Sequence, residues 1–277
     1  MRIDAHQHFW RLERGDYGWL TPELEPIYRD FEPDDIAPHL SANAISGTVL
    51  VQAAPTVAET YFMLELARQN DFIRGVVGWV DFERPEAADT ITSLAEDPHL
   101  VALRPMIQDI ADVDWMLKPQ LSTAFDAMIA GGLVFDALTL PRHLKNLRKL
   151  LSRHPTLRTV IDHASKPEIA SGQFDRWAND ITRLASETNA FVKLSGMVTE
   201  AASNWTTDDL KPYVDHLINQ FGPERIVWGS DWPVCTLASS YDRWCKSTET
   251  LLAGLSEADQ SAIWGKNALA LYGLKAP

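Results

Sequence analysis

The chain has 277 residues, 45% of them hydrophobic, and a formal net charge of -13. That length suits an eight-unit α/β barrel, which typically needs about 250 residues. The acidity argues against nucleic-acid or membrane-surface partners, which select positive charge, so a small-molecule ligand is expected. Cys235 and Cys245 make neither a disulfide framework nor a cysteine-type zinc site. The amino terminus enters a strand without a signal-peptide pattern, and no run approaches the roughly 18 apolar residues of a membrane span. A reduced, cytoplasmic setting is expected.

Short apolar runs rich in Val, Ile, Leu or Phe predict eight buried strands, at 2–6, 46–52, 74–81, 100–107, 133–138, 158–163, 190–195 and 225–230. The first is followed by an irregular stretch, 9–32, which holds Phe9, Trp10, Trp19, Pro22, Pro26 and Tyr28 and is long enough to form a lid. Helical spacing predicts helices at 57–69, 86–96, 119–130, 142–153, 174–185, 208–220, 239–253 and 256–271. Strand and helix alternate, which implies parallel strands joined by right-handed crossovers. No Gly-rich phosphate fingerprint follows the first strand, so a dinucleotide fold loses its main support. The expected architecture is a (β/α)8 TIM barrel filling 1–277 as one domain, with a doubly wound sheet as the alternative.

In such barrels chemistry gathers at the carboxyl ends of the strands. His6 and His8, two apart, project from the same face of the first strand. The second strand delivers Gln52, the third Trp79 and Asp81, the fourth Arg104 and Gln108, and Asp136 sits in the fifth. The sixth supplies Asp162, His163 and Lys166, the seventh Lys193 and Ser195, and the eighth Ser230, Asp231 and Trp232. A lone strand histidine is more often structural, but His6, His8, His163 and Asp231 together outweigh that reading. Asp4 and Asp162 read as structural hydrogen-bond acceptors, while Asp81 and Asp136 are ambiguous. Arg104 and Lys193 suit either buried carboxylates or an anionic or hydroxylated ligand. His39, His99, His143, His154 and His216 fall in helical or turn segments and read as packing or surface residues. Trp177, Trp244 and Trp264 lie at helical spacing and read as core, whereas Trp10, Trp79 and Trp232 flank the mouth and suit a sugar ring.

Taken together, His6-Gln7-His8, Val160-Ile161-Asp162-His163-Ala164-Ser165-Lys166-Pro167, Lys193-Leu194-Ser195-Gly196 and Trp228-Gly229-Ser230-Asp231-Trp232-Pro233 resemble the amidohydrolase superfamily. Within it, residues 2–272 are similar to the amidohydrolase 2 branch, and most to L-fuconolactone and L-rhamnonolactone hydrolases. The resemblance implies a distorted barrel and a hydrolase that opens a sugar-acid lactone. Binuclear superfamily members carry a carboxylated lysine on strand four, where this chain has Arg104, and arginine cannot serve as that bridge. The resemblance therefore implies at most one divalent cation, zinc first, on His6, His8 and Asp231, with metal-independent operation as the alternative.

The mechanism expected from this resemblance has His6, His8 and His163 stabilise the oxyanion while Asp231 serves as general base and then general acid. Arg104, Gln52, Trp79, Lys193, Trp10 and Trp232 are the expected substrate contacts. Competing readings are a metal-dependent decarboxylase of the same superfamily, a non-catalytic sugar-binding barrel, and a hydrolase acting on amides or phosphate esters. Ring size, the particular aldonolactone and the oligomeric state stay open.

Overall fold

The computed structural model describes residues 1–275. Eight strands pair in chain order, every pair parallel: β1 Arg2–Gln7, β2 Ile45–Val51, β3 Ile73–Gly78, β4 Leu100–Leu103, β5 Val134–Ala137, β6 Thr159–Ile161, β7 Phe191–Leu194 and β8 Ile226–Trp228. The eighth returns to the first through a parallel bridge between Gln7 and Trp232, so the sheet closes into the expected (β/α)8 barrel. Helices α1 Pro33–Ala42, α2 Val57–Gln69, α3 Ala87–Leu94, α4 Ser122–Ala130, α5 Leu144–Arg153, α6 Asp175–Glu187 and α7 Thr207–Phe221 form the crossovers, and α8 Tyr241–Leu252 follows the last strand. No helix among the described residues is long and apolar enough to cross a membrane.

Two differences from the expected helices have clear causes. Helix α1 carries Pro33 and Pro38 and buries just Ile36 and Leu40, too sparse a stripe to register as periodicity. The segment expected as one helix at 256–271 is divided into α9 Glu257–Ser261, a π turn at Ala262–Lys266 and α10 Asn267–Tyr272. The π turn brings Gly265 against β1, where a Cβ would lie 3.0 Å from the Met1 carbonyl. Helix α10 then packs Ala268, Leu271 and Tyr272 against Ile3, Val49, Val77, Val134, Val160 and Val227 of the barrel strands.

The seam between β1 and β8 positions the site. Asp231 N–H donates to the His6 carbonyl at 2.8 Å, and His8 N–H donates to the Trp232 carbonyl at 2.7 Å. Asp4 reinforces the seam, its carboxylate accepting from Ser230 N–H at 2.8 Å, His6 N–H at 3.2 Å and the Tyr241 hydroxyl at 3.0 Å. A bulge between Asp4 and Gln7 breaks the two-residue alternation, so Asp4 reaches Tyr241 on α8 while His6 reaches Lys193 on β7. Asp4 is thus the structural acceptor that its sequence context suggests.

Removing that carboxylate strands two backbone donors and a hydroxyl in the interior, each costing on the order of 1–3 kcal/mol. Asp4→Ala is expected to destabilise the fold by about 2–4 kcal/mol, lowering the melting temperature by roughly 5–15 °C. Thermal denaturation followed by circular dichroism measures this, and an unchanged melting temperature would contradict the role given to Asp4.

Candidate active site

At the carboxyl ends of the strands four groups converge. The Nε2 atoms of His6 and His8 are 3.2 Å apart. Asp231 Oδ1 stands 3.4 Å from His8 Nε2, 3.7 Å from His6 Nε2 and 3.9 Å from His163 Nε2. The first and last strands therefore do assemble one cluster. Backbone geometry brings the later members in: Asp231 has φ 58°, and the run His163, Ala164, Ser165 and Lys166 has φ of 50°, 48°, 62° and 52°. Non-glycine residues in this left-handed region are strained by about 1–3 kcal/mol each, and such strain collects at functional sites. Gly196, with φ 62°, makes the His163 placement feasible, since a Cβ there would overlap that imidazole.

Each ring is held from behind. His8 Nδ1 meets the Val51 carbonyl at 2.8 Å; a carbonyl is purely an acceptor, so Nδ1 carries the proton and Nε2 keeps its lone pair. His163 Nδ1 meets the Ser195 hydroxyl at 2.9 Å, and His6 Nδ1 faces Lys193 Nζ at 3.2 Å. Burial pushes the His163 pKa down to about 4 and lowers that of His8. Burial of the Asp231 carboxyl raises its pKa, but the charge that His163 takes on in acid, the hydrogen bond with His8 and the like charge of His6 outweigh this and hold it well below the usual range, so it stays ionised where the imidazoles are neutral. The cluster thus presents an ionised carboxylate among neutral imidazoles.

A cavity of about 180 Å³ opens over this cluster, lined by His8, His163, Asp231, Arg104 and Lys166 among its polar groups and by Trp19, Met106, Leu138 and Val234 among its apolar ones. Arg104 is fixed by the Gln52 side chain, whose Oε1 accepts from NH2 at 2.8 Å, and by the Gln52 backbone carbonyl. Its NH1 donates to Asp162 at 3.4 Å, and its buried Nε–H has no partner among the described residues.

Of the expected substrate contacts, Arg104 alone lines this cavity. Gln52 is wholly buried and serves as the arginine's support. Lys193 lies beneath the histidines, bonded to Asp136 and 3.0 Å from Asp162. Trp10 is fully buried, with Nε1–H on the Arg29 carbonyl, and Trp232 packs edge-on against Phe9 and Phe31. Trp79 is half-buried, its backbone tied to Thr60. The aromatic wall comes instead from Trp19, in the lid stretch, whose indole N–H donates to the Ala53 carbonyl at 2.7 Å. Its position in that aromatic-rich loop was the available signal. Lys166 and Gln108 stand near strand ends in the sequence and do reach the cavity, and Gln108 Oε1 is a buried acceptor without a partner among the described residues. Asp81 bonds Glu83 N–H and Arg84 outside the cavity, and Asp136 pairs with Lys193. Trp177, Trp244 and Trp264 are core residues.

His6, His163 and Asp231 each offer a ligand atom to a common point, with the two Nε2 atoms 3.7 and 3.9 Å from Asp231 Oδ1, separations that two ligands of one divalent cation reach at bond lengths of about 2.0–2.2 Å. The expected trio of His6, His8 and Asp231 is equally close, its ligand atoms 3.2, 3.4 and 3.7 Å apart.

Because the folded pKa of His163 is about 4 against an ordinary 6.5, the unfolded chain takes up this proton first. The group contributes stability above pH 6.5 that is lost as pH falls toward 4. In an NMR pH titration the His163 ring is expected to show no protonation step between pH 5.5 and 8. A midpoint near 6.5 would contradict its buried, neutral state.

A model of the family described as Amidohydrolase matches residues 3–274. The chain is 43% identical over 280 residues to an L-fucono-1,5-lactonase of Burkholderia ambifaria, covering 100% of this chain and 97% of that one. It is 36% identical to an L-fucono-1,5-lactonase of Burkholderia multivorans, with the same coverage. A solved amidohydrolase from Burkholderia multivorans with bound zinc superposes with a TM-score of 0.92 at 36% identity, covering 99% of this chain and 100% of that one. With the family match spanning nearly the whole sequence and full-length relatives above 30% identity, the chain belongs to the amidohydrolase family.

Proposed function

We propose that this protein hydrolyses a sugar-acid lactone, an aldonolactone of the L-fuconolactone type. The observation that carries this reading is the ionised Asp231 carboxylate set among neutral imidazoles at the floor of a cavity of about 180 Å³, in a chain whose full-length relatives are lactonases.

Lactone opening needs a polarised carbonyl, an activated water and a proton for the departing ring oxygen. Asp231 Oδ1 accepts a proton from water as hydroxide adds to the carbonyl carbon, then returns it to the alkoxide when the ring C–O bond breaks. The product acid ionises, so each turnover releases one proton. The oxyanion donors narrow to His163 and Arg104, because His8 Nε2 keeps a lone pair and His6 is fully buried. With Nε2 3.9 Å from the Asp231 carboxylate and Nδ1 facing the Ser195 hydroxyl, His163 is read with its proton on Nε2, toward the developing charge, and the Arg104 guanidinium, which lines the same cavity, adds a second donor. Such donors are typically worth a few kcal/mol each. Trp19 supplies a flat face for the sugar ring, and Gln108 and Lys166 meet its hydroxyls.

His6, His163 and Asp231 would hold at most one divalent cation, zinc first, and when bound it would polarise the lactone carbonyl as a Lewis acid. Both cysteines are free and buried, in keeping with the reducing, cytoplasmic setting we assign.

A panel of aldonolactones mixed with the enzyme in a weakly buffered pH indicator tests the reading, run with and without chelator. Acidification is expected with L-fuconolactone-type substrates, and Asp231→Asn is expected to lower kcat by about 10²–10⁴ with an unchanged circular dichroism spectrum. An Asp231→Asn variant with wild-type turnover refutes the assignment. Absence of acid release across the panel favours a binding protein or a decarboxylase.

A further inference from the structure

Lys193 lies in β7 and is fully buried. Its Nζ bonds the Asp136 carboxylate and stands 3.0 Å from Asp162 Oδ1 and 3.2 Å from His6 Nδ1. Flanked by two carboxylates, it is an ammonium, with three donors and no lone pair. It can face an imidazole nitrogen favourably only when that nitrogen is unprotonated. Facing that ammonium, the His6 ring presents the lone pair of Nδ1. Its single ring proton therefore lies on Nε2.

That proton falls where acceptors meet. His6 Nε2 is 3.2 Å from His8 Nε2 and 3.7 Å from Asp231 Oδ1. His8 Nε2 carries a lone pair because Nδ1–H is committed to the Val51 carbonyl, and Asp231 is a carboxylate. Two electron-rich atoms 3.4 Å apart need a positive centre between them, and either a proton or a metal ion can supply it.

We propose that Lys193 is a positioning residue that fixes the His6 proton on Nε2, toward His8 and Asp231, and thereby weakens the site's hold on a divalent cation. This rests on His6, His8 and Asp231 forming one site as read above, and not on the identity of the lactone. To ligate a metal through Nε2, His6 must carry its proton on Nδ1 and donate it to an acceptor, the role a carboxylate usually plays behind a ligating histidine. Asp162 Oδ1 could accept it at 3.6 Å, but the Lys193 ammonium is nearer, at 3.2 Å. Arg104 NH1 stands farther off, 3.5 Å from His6 Nε2, and already donates to Asp162, so it leaves that tautomer in place while adding a second charge opposed to a cation.

The test uses the full-length, metal-stripped protein with ¹⁵N-labelled histidine, reading tautomers by long-range ¹H–¹⁵N correlation and assigning His6 by comparison with His6→Asn. The expected wild-type state has the proton on Nε2. In Lys193→Met it is expected to move to Nδ1, facing Asp162, and zinc affinity measured by calorimetry is expected to rise about 10- to 100-fold. Because that substitution leaves Asp136 without its cation, the charge-balanced Asp136→Asn/Lys193→Met variant is prepared beside it. If neither folds, the wild-type tautomer alone decides. A His6 proton on Nδ1 in the wild type, or a folded Lys193 variant with unchanged or weaker zinc affinity, overturns the proposal. Neither readout employs a lactone, so a wrong substrate assignment would show separately.

Discussion

His6 and His8 belong to the first strand and Asp231 to the turn after the last, so the distances among them are set by how β8 lies against β1. Backbone bonds from Asp231 to His6 and from His8 to Trp232 lock that seam, and the Asp4 carboxylate ties Ser230 to it from behind. Gly229 permits the approach, since a Cβ there would come within 2.6 Å of the His6 Cβ. A barrel has no free sheet edge, and here closure also builds the site. The same few bonds thus serve stability and chemistry at once.

Around this seam the interior carries unusual charge. Lys193 and Arg104 face Asp136 and Asp162, two cations against two carboxylates, all buried. The Tyr272 hydroxyl, from the helix that closes the lower end of the barrel, donates to Asp136 at 3.0 Å. A buried charge persists when its partner's attraction and hydrogen bonds offset desolvation, and the matched set meets that condition. The left-handed backbone at His163–Lys166 and at Asp231 shows strain located at the same place.

Much of this was legible in the sequence. Short apolar runs located all eight strands, and three-to-four spacing seven of the eight barrel helices, because burying a strand or a helix face leaves an apolar trace. Helix α1 escaped because its two prolines and two buried residues leave little trace. The quartet His6, His8, His163 and Asp231 was found by type and strand-end position. What the sequence did not carry was side-chain direction. Trp10 and Trp232 flank the mouth along the chain yet turn into an aromatic cluster with Phe31, and Trp19 forms the cavity wall. The bulge in β1 and the left-handed turn after β6 redirect Asp4 and His163 in ways that strict alternation does not anticipate. Lys193 reads as a ligand contact until its depth beneath His6 is known.

The central claim is that a lactone carbonyl docks over the seam, with its carbon toward Asp231 and its oxygen toward His163 and Arg104. A crystal structure of the enzyme with a non-hydrolysable lactam analogue of the sugar lactone tests this most directly. The account predicts the exocyclic oxygen within hydrogen-bond distance of His163 Nε2 or Arg104, and the carbonyl carbon facing Asp231 Oδ1 with room for one water between them. A ring bound with its carbonyl turned toward Trp19, or seated instead in the neighbouring cavity beside Arg142 and Arg176, would contradict it.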